Sequence, residues 1–301
     1  MTRIKRVMTM KGGAVLFAIS LATAAHAATP ERVVSVGGST TEIVYALGAG
    51  GSLVGVDTTS LYPAAATELP NIGYVRQLSA EGVLSLKPGL LLTGSEAGPA
   101  TALQQAEAAG VPIVKMSEGY TPEAVEAHIE AVGTALGREA EAAELRTAFA
   151  EDIAAVNAEI AKTTSKPRVL FVLQTSRGAM LVSGTDTAAS AMIELAGGVN
   201  AVTEFTGYKP FSPEAATLAA PDVILMSNQT VEALGGTETV LAEPAFQLTP
   251  AGRNGRVVMM DALYLAGFGP RLAHALHDLA AELHPEHAFA PLPARPWTKA
   301  Q

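Results

Sequence analysis

A block in the first half of this 301-residue chain returns in the second half, and that repeat limits the fold more than composition does. Leu78-Ser79-Ala80-Glu81, closed by Pro88, matches Phe211-Ser212-Pro213-Glu214, closed by Pro221, at a single offset. An apolar run follows each copy, at 90–92 and 223–225, and reads as a buried strand. Upstream, Gly73-Tyr74-Val75-Arg76 is echoed by Gly207-Tyr208-Lys209-Pro210, one residue nearer its helix. Two halves of related design would set these loops across a shared cleft. Coincidence of common turn residues is the other account.

The spacing around the repeat agrees with two α/β halves. Apolar runs at 32–36, 53–56, 90–93 and 111–116 alternate with helical stretches at 40–47, 79–86 and 101–109. Ser39-x-x-Glu42 reads as a capping box opening the first helix. After 162 the alternation restarts, with strands at 168–173, 222–226 and 256–260 and helices at 187–195, 212–218 and 263–284. Such alternation implies Rossmann-like lobes with mostly parallel sheets. Between them Ile129, Val132, Leu136, Leu145, Phe149, Ile153, Val156 and Ile160 recur at helical spacing, and Gly137 divides the stretch. The expected organisation is a leader at 1–27, a first lobe at 31–137, one long connecting helix at 138–162, a second lobe at 163–288 and a tail at 289–301. A connecting helix hinges less freely than paired loops, so only modest lobe movement is expected.

The leader has basic Arg3, Lys5, Arg6 and Lys11, an apolar run at 12–25 too short to span a bilayer, and the small-residue site Ala25-His26-Ala27. Cleavage after Ala27 and export to the periplasm are expected, without membrane insertion. The chain has no cysteine, so a lipid anchor at that residue type, disulfides and thiolate sites are excluded. Losing the leader removes four positive charges and makes a chain of net charge −9 more acidic. An acidic surface argues against nucleic acid and anionic membranes as partners. Enzyme signatures are missing too. Gly94-Ser95-Glu96-Ala97-Gly98 has the wrong register for a nucleophile elbow, and neither Gly-rich phosphate-binding motif occurs.

Tyr74, two residues before Arg76, carries the most specific chemistry. Phenolate is scarce at neutral pH, but a nearby cation and a ferric ion both favour it. Tyrosinate is a recognised axial haem ligand, and a guanidinium also suits a propionate. On residue chemistry alone, a loop tyrosine hydrogen-bonded to backbone is the commoner outcome.

The block 71–82, with Gly207-Tyr208-Lys209-Pro210 and Gly267-Phe268-Gly269-Pro270-Arg271, resembles the periplasmic haem-binding proteins of bacterial haem ABC importers, in the helical-backbone (class III) substrate-binding superfamily. The likeness runs through residues 32–284. It implies two α/β lobes joined by a long helix, haem as the transported ligand, and Tyr74 as the ligand of haem iron with Arg76 supporting the phenolate or a propionate. Tyr208 and Lys209 become candidates for the far wall, Lys209 as a propionate partner. Glu81 and Glu214 suit helix first turns, and the likeness adds docking on arginines of a permease dimer. A monomer is expected, fed with haem by an outer-membrane receptor system. A second haem would need a histidine in the second lobe, and none lies between His128 and His274. The histidines at 274, 277, 284 and 287, on or just after the last helix, and His128 in the connector region do not converge as a metal site would need, and they read as solvated residues. Arg177 reads as a surface arginine, and Met180, Met192 and Met226 as core. A cobalamin or ferric-siderophore binder on the same scaffold is the alternative, and a haem-modifying enzyme a remoter one.

Overall fold

The structure is a computed structural model and describes residues 30–176 and 179–299. The leader and Arg177 lie outside the described residues. The first half contains β1 (Val33–Val36), α1 (Gly38–Ala46), β2 (Leu53–Val56), α2 (Ala80–Ser85), β3 (Leu90–Thr93), α3 (Ala100–Ala108) and β4 (Ile113–Lys115). Its strands pair in the order β2-β1-β3-β4, all parallel. Helices cover both faces, so β1 and β3 are buried throughout, which is why they read as unbroken apolar runs.

Two antiparallel helices follow. Thr121 caps α4 (Pro122–Leu136) by accepting from the Ala124 N–H, and Gly137 ends it at φ 63°, in the left-handed region. The second helix, α5 (Glu139–Ile160), has 22 residues and is about 33 Å long. It buries Leu145, Phe149, Ile153 and Val156 in one continuous core with α1, α4 and residues of the second half.

The second half comprises β5 (Arg168–Ser176), β6 (Ala179–Ser183), α6 (Ala188–Leu195), β7 (Val199–Asn200), β8 (Tyr208–Phe211), α7 (Pro213–Ala219), β9 (Val223–Ser227), α8 (Asn228–Ala233), α9 (Thr237–Ala242), α10 (Pro244–Gln247), α11 (Pro250–Arg253), β10 (Val257–Met260), α12 (Ala262–Ala266) and α13 (Leu272–Leu283). The strand order is β10-β9-β5-β6-β8, with β7 also on β5. β10, β9 and β5 run parallel, whereas β6 and β8 form an antiparallel edge. Met180, Met192 and Met226 are core residues, as the sequence implied.

Two sequence readings need correction. Ser39-x-x-Glu42 is no capping box: α1 starts at Gly38, and no side chain caps it. Glu42 instead reaches across to the second half, pairing with Arg271 through Nε at 2.9 Å and Nη2 at 2.6 Å. The pair is buried, and Arg271 also stacks 3.7 Å from the Tyr62 ring centroid. Nor is His284 solvated. It is fully buried, hydrogen-bonded to Ser165 and the Ala196 carbonyl, because α13 ends inside the molecule.

After α13 the chain doubles back. His277 and His274 hydrogen-bond the carbonyls of Ala290 and Pro293, Arg295 forks onto Asp152 of α5, and Trp297 donates to the Pro270 carbonyl. The Tyr62 hydroxyl of the first half donates to the Lys299 carbonyl at 2.7 Å and lies 3.1 Å from the Trp297 carbonyl oxygen. The tail therefore touches both halves and α5.

Candidate ligand-binding cleft

The Tyr74 loop is held by its backbone. Gly73 sits at φ 101°, a conformation that favours glycine, and its N–H is taken by the Asn71 side chain. The Gly73 carbonyl accepts from Thr58, the Val75 carbonyl from Gly98, and the Leu78 N–H donates to the Gly98 carbonyl. Val75, 3 % exposed, plugs the core of the first half. Tyr74 and Arg76 flank that plug, and both face a cleft. Tyr74 is 43 % exposed, so its ring is open to a ligand.

This cleft has a volume of about 420 Å³, within the usual range for small-molecule and cofactor sites. On the first half its polar wall includes Ser39, Thr40, Thr58, Thr59 and Ser95. Buried Asp57 shapes that wall, accepting from the N–H groups of Gly37 and Thr59 and from the hydroxyls of Thr59 and Ser60. The second half contributes Ala188, Tyr208, Leu263, Ala266 and Phe268. At one point the halves approach so closely that a Cβ on Gly38 would lie 2.5 Å from Leu263 and 2.6 Å from the Thr59 carbonyl oxygen.

Tyr208 stands on β8. Burial pushes its phenol's pKa up, outweighing the Thr187 side chain and Ala189 backbone at the start of α6 and the Arg76 charge, all of which act to lower it, so it is held neutral. The Tyr120 phenol is likewise raised, by burial first and then by Glu118 and Glu96.

Of the residues anticipated from sequence, Tyr74, Arg76 and Tyr208 converge on the cleft. Lys209 does not. Successive residues on a strand point to opposite faces, so with Tyr208 inward Lys209 turns away, its ammonium 5.3 Å from the Phe205 ring centroid. Glu81 and Glu214 are exposed in the first turns of α2 and α7, whose caps Ser79 and Ser212 accept from Gly82 and Ala215. His128, read as a solvated residue of the connector region, lines the cleft instead, with Nε2 2.9 Å from the Ser117 carbonyl oxygen. Burial lowers its pKa, favouring the neutral ring. Tyr120, Glu96 and Phe268 were also missed as cleft residues. Only the Gly267-Phe268-Gly269 punctuation hinted at one of them.

The sequence model of the periplasmic binding protein family matches residues 33–264. The chain belongs to that family. Among solved structures, the periplasmic heme-binding protein BhuT, in complex with two hemes, is 45 % identical with a TM-score of 0.82, covering 84 % of this chain and 98 % of BhuT. Apo RhuT, a periplasmic heme-binding protein of Roseiflexus sp. RS-1, is 40 % identical with a TM-score of 0.81, covering 85 % and 98 %. The vitamin B12-binding protein of Photorhabdus laumondii is 27 % identical over 89 % of this chain and 93 % of its own. The architecture is thus that of class III periplasmic binding proteins, and this family member is a substrate-binding protein of ABC transport rather than an enzyme.

Proposed function

We propose that this periplasmic binding protein captures ferric haem in the cleft and delivers it to the permease of an ABC importer. The reading is carried by one observation, that Tyr74, Arg76 and Tyr208 line a single cleft built by both halves. Two heme-binding proteins among the solved structures, at 40 % and 45 % identity, support haem as the cargo. Tyr74 would ligate the iron as phenolate, a hard anionic donor, after giving up its proton. Arg76 adds a positive charge beside it, suited to the phenolate or a propionate. Tyr208 forms the far wall. Haem itself supplies the iron and the flat conjugated ring.

In this reading the chain divides as its sequence suggested: a leader cleaved after Ala27, lobes at 31–137 and 163–288, the connecting helix at 138–162, and a tail at 289–301. The mature protein acts in the periplasm as a monomer supplied by an outer-membrane haem receptor. Glu81 and Glu214, exposed one on each lobe, dock on a basic permease dimer.

The test is a hemin titration of residues 28–301 followed by absorption spectroscopy, beside Tyr74→Ala. A saturable one-to-one complex with a tyrosinate-type ferric spectrum, lost in the variant, is expected. An unchanged spectrum in the variant moves the iron ligand elsewhere. No hemin uptake by the wild type ends the haem reading and favours the second one, a cobalamin binder, which the vitamin B12-binding relative supports.

A further inference from the structure

Two aromatic rings meet across the cleft, one from each half. Tyr120 stands in the loop between β4 and α4, and Phe268 in the loop between α12 and α13. Their ring centroids are 5.4 Å apart at an interplanar angle of 57°, and both rings line the cleft.

The two sides of this contact are not held alike. Phe268 is 5 % exposed and takes a left-handed backbone conformation, φ 49°, which surrounding packing must enforce. Its loop is seated hard against the first half: a Cβ on Gly269 would lie 3.3 Å from Glu42 and 3.4 Å from Ser39. Arg271, three residues on, fastens the loop through the buried Glu42 pair. Tyr120 is 38 % exposed, and no hydrogen bond ties its hydroxyl among the described residues. One ring is therefore fixed wall, and the other can swing.

We propose that the Tyr120–Phe268 pair is the specificity element of the cleft, setting its width and stacking on a flat conjugated macrocycle. The inference rests on the haem reading above and names what discriminates within it. A planar porphyrin can slide past Phe268 with the Tyr120 ring folded against its face or edge, trading one aromatic contact for another. A corrinoid, which carries a group on each face of its ring, needs the lobes apart where this pair joins them. Rejection of the thicker ligand follows from Phe268 being fixed, so that the swing of the Tyr120 ring alone opens a gap suited to one flat ring, with no charge involved.

The experiment compares binding of hemin and of cyanocobalamin by wild type, Tyr120→Phe and Tyr120→Leu, with thermal melting to confirm folding. Wild type and Tyr120→Phe should prefer hemin by similar ratios, because the ring and not the hydroxyl acts. Tyr120→Leu should keep the wild-type ferric spectrum, lose roughly tenfold in hemin affinity, and narrow the preference over cyanocobalamin by a similar factor. An unchanged preference in Tyr120→Leu overturns the proposal, as does an equal loss in Tyr120→Phe, which would make the hydroxyl responsible. Wild type that takes hemin with no preference over cyanocobalamin also overturns it while leaving haem binding intact. Wild type that binds no hemin removes both readings together.

Discussion

Glu42 lies on α1 and Arg271 at the start of α13, and their paired, fork-like hydrogen bonds are buried between the halves. Removing one member leaves the other charge without its partner at a largely buried position. Arg271→Ala should therefore cost about 3–5 kcal/mol in urea unfolding. It also deprives Tyr62 and Tyr264 of the cation lying against their rings. Gly38→Ala acts on the same junction by bulk, since its Cβ would press on Leu263 and the Thr59 carbonyl. A loss of about 1–3 kcal/mol is expected by the same method. The sequence offered Tyr74 and Arg76 because their chemistry is uncommon and their spacing short. It hid the role of Glu42, since an acid three residues after a serine satisfies a local rule equally well. The actual partner stands 229 residues away.

Among the elements, the buried parallel strands were legible because apolar runs of this length have few other uses. β8 was not. Gly207-Tyr208-Lys209-Pro210 has the composition of a loop, yet it forms an edge strand, where a proline can be accommodated. That misreading placed Lys209 in the cleft. The repeated helix starts are clearer: Ser79 and Ser212 cap α2 and α7 in the same way. Ser212→Ala should lower stability by about 1 kcal/mol in thermal or urea unfolding. Reversing charge at both Glu81 and Glu214 should leave hemin titration unchanged while abolishing importer-dependent uptake. Loss of hemin binding instead would place these acids in the site. Four carboxylates, three of them exposed and Glu159 half-buried, are held below their usual value of 4.5: Glu123 chiefly by its own backbone N–H, Glu159 by Lys162, Glu214 by Ser212 and Glu286 by Ser165. Each favours the folded state when ionised. Their contribution is complete above pH 4.5 and disappears as pH falls through the lowered values, so melting temperature measured against pH should drop below that point.

At the level of the whole molecule, the two halves meet through contacts distant in sequence: Tyr120 with Phe268, Glu42 with Arg271, and Tyr62 with the tail. No periodicity announces such pairs, so the cleft's residues were legible only where a repeated motif marked them. The tail adds a further constraint, because Arg295 satisfies Asp152, 3 % exposed in its side chain on α5. Arg295→Ala should cost on the order of 3 kcal/mol in urea unfolding and open the segment after α13 to protease. The placement of this tail also bears on how the molecule is made. Arg295, Trp297 and Lys299 are synthesised after the partners they meet, by 143 residues for Asp152, 27 for Pro270 and 237 for Tyr62. A chain emerging from its N-terminus can form both sheets in order, but it stays unbuckled until residues 295–299 arrive.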